Sequence, residues 1–294
     1  ALSRLRDQDF PTPKNEAWKY TSVRAISKIE FKPQSPVNLT SSEIKKHFIP
    51  GFKGMVLVFV NGFYQEHLST VPEKLQEGLV VKSLNKAKEK NISLVEPFMG
   101  FIANEPELFF ANINAAYSQD GGFVHVSKNV NVETPIHFLH LTDGEQVSSQ
   151  PRNLIVAEKN ASVNVVTSYE TINSSESFTN AVTEVSVAEG ANVVVDKIQN
   201  EHDKAFNISF EQASVAKSAT FTINTIPVGG KIIRNNLNID LIGSGSEGNL
   251  YGAVCLNGDM HVDNQTYVNH AAPHCDSNEL YKSVLNDNSV NVFN

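Results

Sequence analysis

From about residue 120 onward, apolar and polar positions alternate in short runs broken by one recurring turn. The phrase first appears as Val126-Ser-Lys-Asn-Val-Asn-Val132. It returns as Val156-Ala-Glu-Lys-Asn-Ala-Ser-Val163, as Val187-Ala-Glu-Gly-Ala-Asn-Val193 and as Val215-Ala-Lys-Ser-Ala-Thr-Phe221. A looser copy is Leu241-Ile-Gly-Ser-Gly-Ser-Glu-Gly-Asn-Leu250, and the copies start 30, 31, 28 and 26 residues apart. No helical pattern separates them, and β-branched runs such as Val193-Val-Val195 read as short strands. A period in this range is the mark of a repeat architecture, whose units bury an apolar face only by stacking. The pattern therefore predicts a mainly β chain with a β-solenoid over residues 120–294. A Greek-key sandwich also gives many short strands, but it does not require one turn to recur.

Residues 1–119 follow a different, mixed pattern. Phe10-Pro-Thr-Pro13 forces an extended entry, because the residue before each proline is pushed away from helix. Trp18 and Tyr20 follow, read as anchors that pin this arm to the domain, with ligand stacking as the alternative. Thr40-Ser-Ser-Glu43 has the form of a capping box that opens a short helix. Lys53-Gly-Met-Val-Leu-Val-Phe-Val-Asn-Gly-Phe-Tyr64 predicts a buried strand, an Asn-Gly hairpin turn and a return strand. A further strand is expected at Val80–Leu84, and the charged residues 86–90 read as a solvated face. Glu105–Tyr117 has the clearest helical period, with Asn104 as cap, Pro106 in the first turn and Phe109, Ile113, Ala116 and Tyr117 on one face. That face is expected to plug the open end of the solenoid, with Asp120-Gly-Gly122 ending the helix.

Composition narrows the possible chemistry. No run of 18 apolar residues is present, so no membrane-spanning helix is expected. The first residues carry no apolar signal-peptide core, and two cysteines are too few for a disulfide framework, which points to the cytoplasm. Net charge is −8, from 24 basic and 32 acidic residues, with no basic block to suggest nucleic-acid binding. The chain opens at Ala1 and closes inside a strand-like alternation at Val290-Asn-Val-Phe-Asn294, so the expectation is an edge that either a partner covers or a longer protein continues, with homodimerisation through Phe293 in isolation.

Ligand-type side chains concentrate at Cys255, Asp259, His261, Asp263, His270, His274 and Cys275. Iron–sulfur ligation usually needs four soft donors, and two cysteines without a Cys-x-x-Cys spacing do not supply them. Adjacent His274 and Cys275 would face opposite ways on a strand. They are the candidate metal ligands; turn hydrogen bonding for the histidines and an inert role for Cys275 are the alternatives. Cys255 is expected to be a small buried apolar residue. There is no P-loop and no Gly-x-Ser-x-Gly elbow, and Gly243-Ser-Gly-Ser-Glu-Gly248 reads as a repeat turn rather than a phosphate loop. No catalytic residue is assigned.

Phe10-Pro-Thr-Pro-Lys-Asn-Glu-Ala-Trp-Lys-Tyr-Thr21 resembles the amino-terminal signature of the SufD branch of the SufB/SufD family. Leu57–Tyr64, Phe109–Tyr117, Asp120–Val126 and Val132–His137 are similar to its following segments. His274-Cys-Asp-Ser-Asn-Glu-Leu-Tyr-Lys-Ser-Val-Leu285 with Val292-Phe-Asn294 is similar to the family's core motif. The resemblance covers essentially the whole chain in order. It implies a right-handed parallel β-helix core and a non-enzymatic scaffold of the SUF iron–sulfur cluster assembly complex. Such a scaffold pairs with SufB and acts with the SufC ATPase. No cofactor would be held by this chain alone, though a transient iron–sulfur cluster could be shared with SufB. Family members continue beyond residue 294 into a helical part that docks SufC and carries a histidine implicated in cluster formation; no residue here corresponds to it. The competing readings are a carbohydrate-active β-helix enzyme, with Asp259/Asp263 or Asp276/Glu279 as its carboxylate pair, and a purely structural solenoid.

Overall fold

The computed structural model describes residues 5, 6, 8–32, 35–100, 109–173 and 175–294. Its strands are β1 (Met55–Val60), β2 (Phe63–Tyr64), β3 (Leu79–Ser83), β4 (Gly122–Val126), β5 (Ile136–Thr142), β6 (Val147–Ser149), β7 (Arg152–Ala157), β8 (Ser162–Thr171) and β9 (Ser177–Val187), followed by β10 (Asn192–Asn200), β11 (Ala205–Val215), β12 (Thr220–Gly229), β13 (Ile232–Leu241), β14 (Glu247–Leu256), β15 (His261–His270), β16 (Asp276–Leu285) and β17 (Val290–Phe293). From β7 onward successive strands alternate between two sheets. Sheet one runs β16-β14-β12-β10-β8-β5-β1-β2, and sheet two runs β17-β15-β13-β11-β9-β7-β4-β3, with β6 also pairing β9. Every pairing between coils is parallel, which is the two-faced β-solenoid the repeat predicts. The antiparallel strands β2 and β3 lie at one end of the two sheets. Strands from both sides of residue 119 share these sheets, because β1 pairs β5 and β3 pairs β4.

The recurring phrase stacks on itself. Val126 lies opposite Ala157, Ala157 opposite Val187, Val187 opposite Val215 and Val215 opposite Leu241. The second copy is thus phased one residue later than its leading valine suggests. The anchor of the phase is the corner, where Asn129, Asn160, Gly190, Ser218, Gly245 and His274 all have positive φ. Asn, Gly and His tolerate that conformation best, which is why the corner stays small or polar while the strands vary. Corner N–H groups bond along the stack, Asn129 to Lys159 O at 2.9 Å, Asn160 to Glu189 O at 2.9 Å and Gly190 to Lys217 O at 3.0 Å.

Inside the corner a dry core forms from Val126, Ala157, Val187, Val215 and Leu241 of sheet two and Val163, Val193, Phe221 and Leu250 of sheet one. Gly252 leaves room for the Tyr281 ring, whose Cδ1 would sit 2.0 Å from a Cβ added there. Tyr281 then meets the Phe293 ring at a tilt of 39°, with centroids 4.7 Å apart.

The hairpin at Asn61-Gly62 has positive φ at both residues, as the turn chemistry requires. Thr40 N donates to the Glu43 carboxylate at 2.7 Å, so the capping box forms.

The helix described at Phe109–Tyr117 departs from its expected position. Its start at Asn104–Leu108 lies outside the described residues. It does not plug the solenoid but packs on the outer face of sheet two, Phe110 against Phe178 and Ala111 against Val182 and Phe210. The buried side chains are Phe110, Ala111, Asn112 and Asn114, while Tyr117 is exposed. The cause is the outer row of sheet two, whose Phe178, Val182, Phe206 and Phe210 need cover, and helix formation alone does not decide which apolar surface is met.

Candidate functional site

The residues singled out by chemistry are not brought into one site. His274 occupies the positive-φ corner of its coil and is exposed. Cys275 takes the next position, filled in earlier coils by Ala161, Ala191, Ala219 and Ser246. Its thiol lies against the dry core, 3.1 Å from Ala272 O and 3.3 Å from Ser246 Oγ. The two neighbours therefore diverge at a turn rather than by strand alternation. His270 Nε2 pairs with Ser277 Oγ at 3.0 Å. Among the described residues no three His, Cys, Asp or Glu side chains converge as metal donors.

Cys255 corrects the sequence reading. It is exposed, not buried, because Val254 and Leu256 take the inward positions of β14 and parity turns Cys255 outward opposite Val284. Cys255→Ala is accordingly expected to change unfolding free energy by less than about 0.5 kcal/mol, the ordinary range for an exposed position. A loss above about 1.5 kcal/mol in a denaturant titration would show that the thiol is packed.

The charged chemistry lies inside the solenoid, beyond the dry core. Along β10, Val193, Val195, Lys197 and Gln199 point inward; along β11, Asn207, Ser209 and Glu211 face them. Lys197 is fully buried, with Nζ 2.7 Å from Glu211 Oε1 and 2.8 Å from Asn235 Oδ1, and it also donates to Ser209 Oγ. Burial lowers its pKa, and the Glu211 charge acts in the opposite direction. Glu201 accepts from Thr179 Oγ1 and Asn207 Nδ2, each at 2.6 Å. Burial raises its pKa to about 7, against these two hydrogen bonds and Lys197. His140 lies between Phe59 and Tyr169, with ring centroids at 4.9 and 5.2 Å. Burial holds its imidazole at about 3, so it is neutral in ordinary buffers.

A second set of ion pairs ties the first residues to the outside of sheet two. Arg152 pairs with Glu184 and donates to Asn114 Oδ1 at 3.2 Å, linking the helix to two coils. Arg234 pairs with Asp263 and lies 3.9 Å from the Trp18 ring centroid. Thr21 Oγ1 contacts His261 Nε2 at 2.9 Å and also donates to Asp263. Thr, His and Asp together resemble a nucleophile set, yet Thr21 is 1% exposed and Asp263 is engaged by Thr21 and Arg234. A hydroxyl that no substrate reaches is a fastener, and this one straps the arm to β15.

Lys197, Glu201 and Glu211 were not singled out from the sequence. The available signal was parity: Val193-x-Val195-x-Lys197 places a charge in phase with the core.

Two family models match the chain: the SufBD protein N-terminal region over residues 1–138 and the SUF system FeS cluster assembly SufBD core domain over residues 140–294. An iron–sulfur cluster assembly SufBD family protein of Synechocystis is 25% identical over 303 residues, covering 100% of this chain and 66% of the relative. A counterpart from Staphylococcus epidermidis is 26% identical over 259 residues, covering 85% of this chain and 56% of its own length. The Staphylococcus aureus counterpart is 25% identical with the same coverage. The chain thus spans between 56% and 66% of the length of these relatives. The two models follow one another along the chain, and the core model alone covers more than half of the sequence: the chain belongs to the SufBD family of SUF-system iron–sulfur cluster assembly proteins.

Proposed function

We propose that this chain is the SufD-like scaffold subunit of a cytoplasmic SUF complex. It pairs with a SufB relative, works with a SufC-type ATPase and catalyses no step itself. The observation that supports this most is the unbroken in-register stack of coils, in a chain whose family assembles iron–sulfur clusters. A continuous parallel ladder resists bending and holds a partner's assembly site at a fixed position. In this reading the cluster is cargo. Of the two cysteines, Cys255 faces out from sheet one and Cys275 faces the core, so they do not form a ligand pair. The outer face of sheet one carries exposed apolar side chains, Tyr251, Leu280 and Val284, and apolar exposure of this kind suits contact with another protein, and in isolation with a second copy. No described helix is long and apolar enough to cross a membrane.

Glycoside hydrolysis finds little support. Asp263 is buried in its Arg234 pair, and Asp276 and Glu279 are three residues apart on β16, hence on opposite faces.

The test is an anaerobic co-expression of this chain with SufB and SufC homologues of the same host, pulling on this chain. Recovery of SufB is the expected result, with SufC following through SufB. Recovery of neither, from this chain and from a version of full family length, sinks the proposal.

A further inference from the structure

Asn-Gly occurs twice in the chain, at Asn61-Gly62 and at Asn257-Gly258, and the structure treats the two pairs in opposite ways. Asn61 is 2% exposed; its Nδ2 donates to Asp143 O at 2.8 Å and its Oδ1 accepts from Asp143 N at 2.8 Å. That side chain is fixed at both ends. Asn257 lies in the turn between β14 and β15, exposed together with Gly258 and Asp259. No described residue engages its carboxamide. Gly258 has a φ of +59°, and a Cβ added to it would meet nothing within 4 Å. Coils are present on both sides, since β12 and β16 flank β14, so the exposure belongs to the corner itself.

One group does reach this pair. Gly258 N donates to Asp287 Oδ2 at 2.9 Å, from the matching corner of the next coil. Two further bonds hold the corners together: Asn288 N donates to Gly258 O at 3.0 Å, and Asn288 Nδ2 to Asp259 Oδ1 at 3.2 Å. When a glycine nitrogen closes on the preceding asparagine side chain, its N–H must give up the proton. The Asp287 carboxylate stands within the reach required of a general base for that proton. A free carboxamide, a nucleophilic nitrogen with open space around it and a base on its proton make a nucleophile–base pair with its electrophile next in sequence.

We propose that Asn257-Gly258 is a self-deamidating site for which Asp287 is the base. Gly258 N attacks Asn257 Cγ, and its proton passes to the Asp287 carboxylate as the N–C bond forms. The tetrahedral carbon then breaks its bond to the side-chain nitrogen, which takes the proton from Asp287 and leaves as ammonia. Water, the only co-reactant, opens the resulting five-membered imide at either carbonyl and leaves an aspartyl or isoaspartyl residue at position 257. Either product sets a new carboxylate beside Asp259 and Asp287, and the isoaspartyl form also adds a methylene to the backbone of the corner. This chemistry is independent of the scaffold reading.

The full chain would be held at neutral pH and physiological temperature for days and sampled by peptide mapping and by enzymatic isoaspartate methylation, beside Asp287→Asn and Asp287→Gly. Asp287→Asn keeps an oxygen acceptor for the Gly258 N–H but removes the base, which separates a base from a hydrogen bond that only restrains the nitrogen. Asp287→Gly removes both and suits the φ of +58° at this exposed position. Unchanged melting confirms that the variants fold. The expected result is isoaspartate accumulating at position 257 and not at position 61, slowed by about a hundredfold in both variants, the lower end of what a positioned base contributes. Absence of conversion at position 257 overturns the proposal, and so does a rate that Asp287→Asn leaves unchanged or raises.

Discussion

Lys197→Ala is expected to destabilise the protein by about 3–5 kcal/mol, because it strands Glu211 as an unpaired carboxylate inside the solenoid. Ser209 and Asn235 also lose their shared donor. The size of the effect reflects a stranded charge, not a strong bond. Replacing both charges, Lys197→Met with Glu211→Leu, should therefore recover most of the loss. Urea titrations of the wild type, the single variant and the double variant check this. A single-variant loss below about 1 kcal/mol would mean that water reaches Glu211 and the interior is not dry there.

Glu201 should give the protein a stability that declines with pH. Its carboxyl titrates at about 7 when folded, against 4.5 as the ordinary value. Between those values the native protein holds a proton that the unfolded chain has released, so stability falls as pH rises through this window. Below 4.5 both states are protonated and the penalty is absent; above 7 it is complete. The gap corresponds to about 3 kcal/mol at 1.36 kcal/mol per unit. Glu201→Gln removes the titration. The wild-type unfolding free energy minus that of the variant should accordingly decline between pH 4.5 and pH 7 and then level off. Parallel curves for the two proteins would place the proton elsewhere.

These two residues mark where sequence reading stopped. The coil repeat, the hairpin and the Trp18 anchor are legible because each rests on local chemistry, a corner that needs Asn or Gly, an Asn-Gly turn and prolines before an aromatic residue, whereas Tyr20, read as a second anchor, is 67% exposed. Val156 stands one residue out of step with the valines that open the other copies, because the corner Asn160 carries the register. Lys197 was in core phase on β10, yet its partner Glu211 lies on a different strand, and no local pattern names the pairing. Cys255 was misplaced because parity across β14 decides its side, and apolar neighbours on both flanks say nothing about which of the three turns inward. The helix face was misassigned because Phe178, Val182 and Phe210, its true partners, become a surface only after β9 and β11 align. His274 stood out as a ligand type, while its place at a positive-φ corner depends on geometry shared by six coils.

The corner bonds also give the solenoid a direction in time. Each corner donates its N–H forward, Asn129 to residue 159, Asn160 to residue 189 and Gly190 to residue 217, so a corner stays unlatched until the following coil exists. A ribosome adds residues at about 5–20 per second, so each coil waits roughly 1.5–6 s for the next. During synthesis the growing end is therefore always at least one coil behind in fastening.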